Sequence, residues 1–340
     1  MTQYSITHED LIKFIGSMAA SGKKVYAPQR KGEKVYFSQV KDATQVVFDY
    51  IQTTESPKDL LFPKYQKLVS FEYAGSELKI KDHSLEPAAA SVLFGSRPCD
   101  ASALKRLADF FARDISDVFA AQRYNAFTVI SMGCIKADSD CFCTSAGSGP
   151  GDTAGSDILL TPIENNIYAV ECFTDKGSAL IEQQKELFIQ STSVDKMKYL
   201  ARVEKTFSHE EITQKLAGAF GHEMWDEASL RCIGCGACAF VCPMCSCFDI
   251  QDEGTSKKGD RVRCWDSCGF SLFTLHTSGH NPRRTQSERW RQRVMHKFSY
   301  QPQQYELLGC VGCGRCSRAC PADMNLKEQL SEIVKQVQAG

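Results

Sequence analysis

Two stretches read Cys-x2-Cys-x2-Cys-x3-Cys-Pro: Cys232, Cys235, Cys238, Cys242 and Pro243, then Cys310, Cys313, Cys316, Cys320 and Pro321. This spacing curls three thiolates around one face of a [4Fe–4S] cubane, and the fourth Cys of each run reaches the other run's cluster. Proline fixes its own φ and biases the residue before it toward extended backbone, so the chain turns away at the fourth sulfur. The expected ligand sets are therefore Cys232, Cys235, Cys238 and Cys320 for one cluster, and Cys310, Cys313, Cys316 and Cys242 for the other. Zinc knuckles fit less well, because zinc sites draw two ligand pairs from either side of a spacer. The chemistry that follows is one-electron transfer. The long segment between Cys242 and Cys310 must fold so as to bring the two runs back together.

The chain has 17 Cys, more than the two runs use. Cys134, Cys141 and Cys143 follow an apolar, strand-like stretch, and Cys99 follows another in a Pro-Cys-Asp turn. If these strands are parallel neighbours, all four sulfurs meet at one sheet edge and suit a third [4Fe–4S] cluster. Zinc on the same four thiolates and plain buried thiols are the alternatives. Cys245, Cys247, Cys264 and Cys268 lie between the runs. They read as thiols packed beside a cluster and tuning its potential, with a fourth metal site as the other reading. Cys172 stands alone in a strand-like stretch and reads as a small buried hydrophobe. Arg283, Arg284, Arg289, Arg291, Arg293 and Lys297 form a basic run. It is either a solvated face or a set of charges that offset thiolate-ligated clusters or dock an acidic partner. The loop Gly147–Gly155 lacks the third glycine of a dinucleotide fingerprint, since Asp152 occupies that place. It reads as a turn beside a metal site, and hydride chemistry falls to another subunit.

Composition sets the outer limits. A chain of 340 residues can hold two domains with real cores. Hydrophobic content of 43% and charged content of 24% are ordinary globular values and speak against disorder. A net charge of −1 speaks against nucleic-acid binding. The opening residues lack the charged and apolar regions of a secretory leader, and no stretch approaches the ~20 apolar residues a membrane helix needs. With this cysteine usage, a reducing cytoplasmic location and no membrane contact are expected.

The elements that must position these thiols follow from periodicity. A helix is expected over 7–20 behind Thr7, a hairpin over 24–40, and a strand over 90–95 that leads into a helix over 101–111 capped by Asp100. A strand is expected over 127–132, and a hairpin over 158–173 turning at Asn165 and Asn166. Helical patterns cover 174–190, 193–206 and 208–219. The fold class is α+β: an N-terminal α/β domain over 1–220 that carries the third cluster, then a helical two-cluster ferredoxin-like domain over 221–340. That second domain carries a long insertion over about 246–305.

Certain motifs also resemble a known family. Arg97-Pro-Cys-Asp, Cys141-Phe-Cys-Thr-Ser, Cys242-Pro-Met-Cys-Ser-Cys-Phe-Asp and Cys264-Trp-Asp-Ser-Cys are similar to the iron–sulfur subunit of anaerobic sulfite reductase. So are Ser278-Gly-His-Asn-Pro-Arg, Arg291-Gln-Arg-Val-Met-His-Lys-Phe and Cys310-Val-Gly-Cys-Gly-Arg-Cys. The same family includes the beta, electron-transfer subunits of cytoplasmic sulfhydrogenases and related NAD(P)-linked [NiFe] hydrogenases. The resemblance implies a subunit with no substrate chemistry of its own. A separate FAD subunit would take hydride from NAD(P)H, and this subunit would pass single electrons to a sirohaem sulfite reductase or [NiFe] hydrogenase subunit. A self-contained enzyme with its substrate at the Cys99–Cys143 cluster is the competing reading. Four thiols in that set count against it, because they leave no iron open.

Overall fold

The computed structural model describes residues 3–191 and 194–337. Eight strands form the larger sheet: β1 (Gln3–Thr7), β2 (Lys24–Lys31), β3 (Lys34–Gln39), β6 (Ser91–Ser96), β7 (Phe127–Met132), β8 (Ile158–Pro162), β9 (Ile167–Cys172) and β10 (Ile189–Gln190). Their order is β10-β1-β9-β8-β7-β6-β2-β3. The central strands β2, β6, β7 and β8 run parallel to one another. Their sequences, such as Val-Leu-Phe and Phe-Thr-Val-Ile, are near-continuous apolar runs, as strands covered on both faces require. Helix His8–Ala20 covers one face with Leu11, Phe14, Ile15 and Met18, and Thr7 caps it by accepting from the Asp10 amide. Helix Pro98–Phe111 covers the other with Ala101, Leu104 and Leu107.

The hairpin readings hold. β2 pairs with β3 around the Gly32 turn, and β8 pairs with β9 around Asn165 and Asn166, both at positive φ. Three expectations need correction. Helix Pro98–Phe111 begins three residues earlier than expected and has no side-chain cap. Pro98, pre-set at helical φ, starts it, and Asp100 is instead drawn into a buried ion pair with Arg315. The helix expected over 174–190 spans Asp175–Glu182 only, because the chain then joins the sheet edge as β10. No helix forms over 194–206, where one short 3-10 turn is the only regular element; residue 193 lies outside the described residues. Tertiary hydrogen bonds override the helical pattern there: the Ala201 amide donates to the Cys134 carbonyl at 2.7 Å and the Thr206 amide to Ser145 Oγ at 2.9 Å.

A second, four-stranded sheet comprises β4 (Tyr65–Ala74), β5 (Glu77–Asp82), β11 (Phe248–Gly254) and β12 (Lys258–Trp265) in the order β11-β12-β4-β5. The region between the runs is thus part strand rather than wholly helical. It is also not self-contained, since β12 pairs antiparallel with β4 from the N-terminal portion. Beyond it, helices Gln286–Met295 and Leu326–Gln336 enclose a core built on Trp225, Trp290, Val294, Phe298, Leu326 and Leu330.

Candidate metal centres

Each ferredoxin run is a loop that turns into one short helix, Ala237–Phe240 in the first and Arg315–Arg318 in the second. Cys232, Cys235 and Cys238 line one cavity together with Cys320 from the other run. Cys310, Cys313 and Cys316 line a second cavity together with Cys242. Arg293, Cys316 and Leu326 belong to both linings, so the cavities adjoin. Polar hydrogens already point at the sulfurs: Gln286 Nε2 donates to Cys232 at 3.1 Å, and the Gly312 amide to Cys310 at 3.4 Å. Among the described residues no three His, Cys, Asp or Glu side chains close on a point that would hold a single ion. Four thiols ringing a cavity fit a polynuclear cluster, in which each sulfur binds a different iron, better than one tetrahedral zinc.

The N-terminal quartet is also brought together. β6 and β7 are parallel neighbours. β6 delivers Cys99 through the Pro98 turn, and β7 delivers Cys134 two residues past its end. The turn containing Cys141 and Cys143 packs against them, and Cys134 is within electrostatic reach of Cys99, Cys141 and Cys143. Burial, with the neighbouring sulfurs adding to it, pushes Cys143 up to about 12. Burial likewise pushes Cys134 up to about 11 and raises Cys99 and Cys141. Such thiols keep their protons at neutral pH until a metal displaces them. The Gly147–Gly155 loop is a structural brace for the group: the Cys134 amide donates to the Pro150 carbonyl and the Ser148 amide to the Cys143 carbonyl.

The quartet abuts the second run. Gly312 and Gly314, both at positive φ, let the run approach so closely that a Cβ on either would sit about 2.5 Å or less from a carbonyl oxygen, that of Phe142 or Asp140. The Phe142 amide donates to the Gly312 carbonyl at 2.9 Å. Arg315, 2% exposed, forms a bidentate pair with fully buried Asp100 and also donates to the Thr53 carbonyl at 2.9 Å. Arg318 donates to Asp138 and to the Cys141 sulfur. Cys99 and Cys313 are within electrostatic reach of each other.

The basic run divides. Arg284 is exposed, whereas Arg293 and Lys297, four residues apart and so on one helical face, turn inward. Burial works against both charges, but the Cys238, Cys242, Cys245 and Cys310 sulfurs around them hold them protonated. Sequence reasoning missed Gln52, which donates to Cys99 at 3.1 Å, and Lys58, buried against Trp265 and donating to the Cys245 carbonyl at 2.9 Å. Both lie far along the chain from any Cys, and neither sits in a recognisable motif. Arg315 and Arg318 were readable in principle from their places inside the second run.

Comparison with known proteins bears on the two runs. Residues 231–324 match the family described as a 4Fe-4S dicluster domain. The chain is 29% identical to Sulfhydrogenase 2 subunit beta of Pyrococcus furiosus over 321 residues, which is 91% of this chain and 92% of that protein. No solved structure matches it. No helix among the described residues is long and apolar enough to cross a membrane. Residues 231–324 are thus similar to a 4Fe-4S dicluster domain, and the chain along most of its length is similar to a sulfhydrogenase beta subunit.

Proposed function

We propose that this chain is the electron-transfer component of a cytoplasmic multi-subunit oxidoreductase. It would pass single electrons between a flavin subunit that handles NAD(P)H and a catalytic subunit of sirohaem sulfite reductase or [NiFe] hydrogenase type. The observation that carries this reading is the succession of thiol sites. The first-run cavity adjoins the second through Cys316, and the second adjoins the N-terminal quartet through Cys313 and Cys99. In this reading Cys99, Cys134, Cys141 and Cys143 hold a third [4Fe–4S] cluster and the two runs hold theirs with crossed ligation. Bound clusters supply reversible one-electron storage. The chain's own residues do the rest: they ligate iron, exclude water, and set buried cations and N–H groups against the sulfurs, which favours the reduced state. The relative is by name one subunit of a larger assembly, which supports the existence of partners.

The test is spectroscopic. Anaerobically purified, flavin-free chain should leave NAD(P)H unoxidised and sulfite unreduced, yet bleach with a strong artificial reductant. Adding the flavin subunit should make NAD(P)H bleach it as well. Robust NADH-dependent dye reduction by the chain alone would overturn the proposal and favour a self-contained enzyme.

A further inference from the structure

The first run is the open end of the succession of thiols. Of the 17 Cys, Cys235 alone is exposed. Apolar side chains around it meet solvent as well: Leu230 is 80% exposed, Ile233 70% and Leu272 72%. Leu272 belongs to a loop that returns over the run. The Phe270 ring sits against Gly236, where any side chain would collide with it, and Gly269 lines the first-run cavity beside Ile233 and Cys235. Asn281 ties the loop together, donating to the Ser271 carbonyl at 2.7 Å and accepting from the Arg283 amide at 3.0 Å. Single exposed apolar residues are ordinary on a protein surface. Three of them around the one exposed cluster ligand form a patch, and such patches mark contact sites.

The outer part of the basic run borders this patch. Arg289 lines the first-run cavity and donates to the carbonyls of Arg283 at 3.1 Å and Arg284 at 3.0 Å, which gathers the three arginines at the first turn of helix Gln286–Met295. Other arginines of the chain have carboxylate partners, but among the described residues none of these three forms an ion pair. Glu288, on the same helix, is engaged with Thr285 in a capping box. The start of a helix favours anions, so three cations gathered there work against the stability of the isolated chain. At the N-terminal quartet the cations are already matched: Lys136 pairs with Asp49, and Arg318 with Asp138.

We infer that the face carrying Cys235, Ile233, Leu272 and the Arg283, Arg284 and Arg289 cluster is the docking surface for a redox subunit that presents carboxylates around its own cofactor. The inference rests on the electron-transfer reading above and adds where such a partner seats. Electron transfer between proteins weakens steeply with distance, so the partner must cover the ligand that comes nearest to solvent. An apolar centre excludes water there, and an arginine rim steers and orients an acidic face. A second copy of this chain fits poorly, because a two-fold contact on this patch would set the arginines against their own like. A free anion would leave the apolar patch unused.

Phenylglyoxal, which modifies accessible arginine side chains, tests this on the assembled complex, purified anaerobically through a tag on the full chain, against the full chain alone. Peptide mass spectrometry should find Arg283 and Arg284 labelled in the chain alone and protected in the complex. Arg283→Glu combined with Arg284→Glu should keep its iron yet bind the redox subunit about tenfold or more weakly at low salt, and the gap should narrow as salt rises. Equal labelling in chain and complex would overturn the inference. So would a double variant that holds the subunit as tightly as the wild type, or protection already present in a dimer of the chain alone. Should the double variant lose its iron, the labelling comparison decides by itself. The electron-transfer reading fails on a different result, a complex whose clusters do not bleach when its flavin subunit is given NAD(P)H. Unprotected arginines in a complex that does bleach would sink the docking surface only.

Discussion

Cys320 belongs to the second run by sequence and to the first run's cavity by position. The reason is local: Pro321 ends the loop and points the preceding sulfur away from its own run. Cys320→Ser should therefore damage the cluster on Cys232, Cys235 and Cys238, with a loss of about four iron and one reducible signal. If the cluster on the second run disappeared instead, crossed ligation would be wrong. Arg315 makes a different kind of contribution. It neutralises Asp100 where neither side chain meets solvent. Removing one partner of a buried pair leaves an uncompensated charge, so Arg315→Ala should destabilise the chain by about 3–5 kcal/mol. Denaturant unfolding of the anaerobic protein measures this. A change under about 1 kcal/mol would show that solvent reaches Asp100.

Among the elements, the helix carrying Arg293 and Lys297 ends in a π-helical turn, His296–Tyr300, a distortion often found at functional sites. Burial, reinforced by the Lys297 charge, holds His296 below its ordinary value of 6.5. The unfolded chain therefore takes up this proton at a higher pH than the folded one. The stability contribution is whole above about 6.5 and is lost as pH falls below it. The unfolding midpoint should drop between neutral pH and about 5.5, and His296→Gln should remove part of that drop; identical pH slopes would contradict this. Much of this level was legible in advance. Apolar runs marked β6 and β7, and the turn residues Gly32, Asn165 and Asn166 marked two hairpins. What was not legible depends on contacts distant in sequence. Segment 194–206 has a helical pattern, but Cys134 and Ser145 take its amides. β4 and β5 do carry apolar alternation, Val69, Phe71 and Tyr73 in one and Leu78 and Ile80 in the other, which the sequence reading passed over; both strands are largely exposed, and β4 gains its partner β12 from nearly two hundred residues away. The two Cys runs could be read because their metal spacing is written locally, whereas the cations around them could not.

At the scale of the whole molecule, the eight-stranded sheet and the dicluster region are held together by the residues that place their thiols in succession: Arg315 on Asp100, Arg318 on Asp138, and Gly312 and Gly314 against the 140–143 backbone. Such a junction gives the N-terminal quartet a defined place next to the second run, the place that the proposed electron path would use. The most direct test is iron per chain in anaerobically reconstituted protein, wild type against Cys141→Ser. The account predicts at least about twelve iron in the wild type, four for each of three cubanes, and a loss of about four in the variant. A wild type that stays near eight, with iron content unchanged by Cys141→Ser, would show that the N-terminal thiols are structural and that the path ends at the two ferredoxin runs.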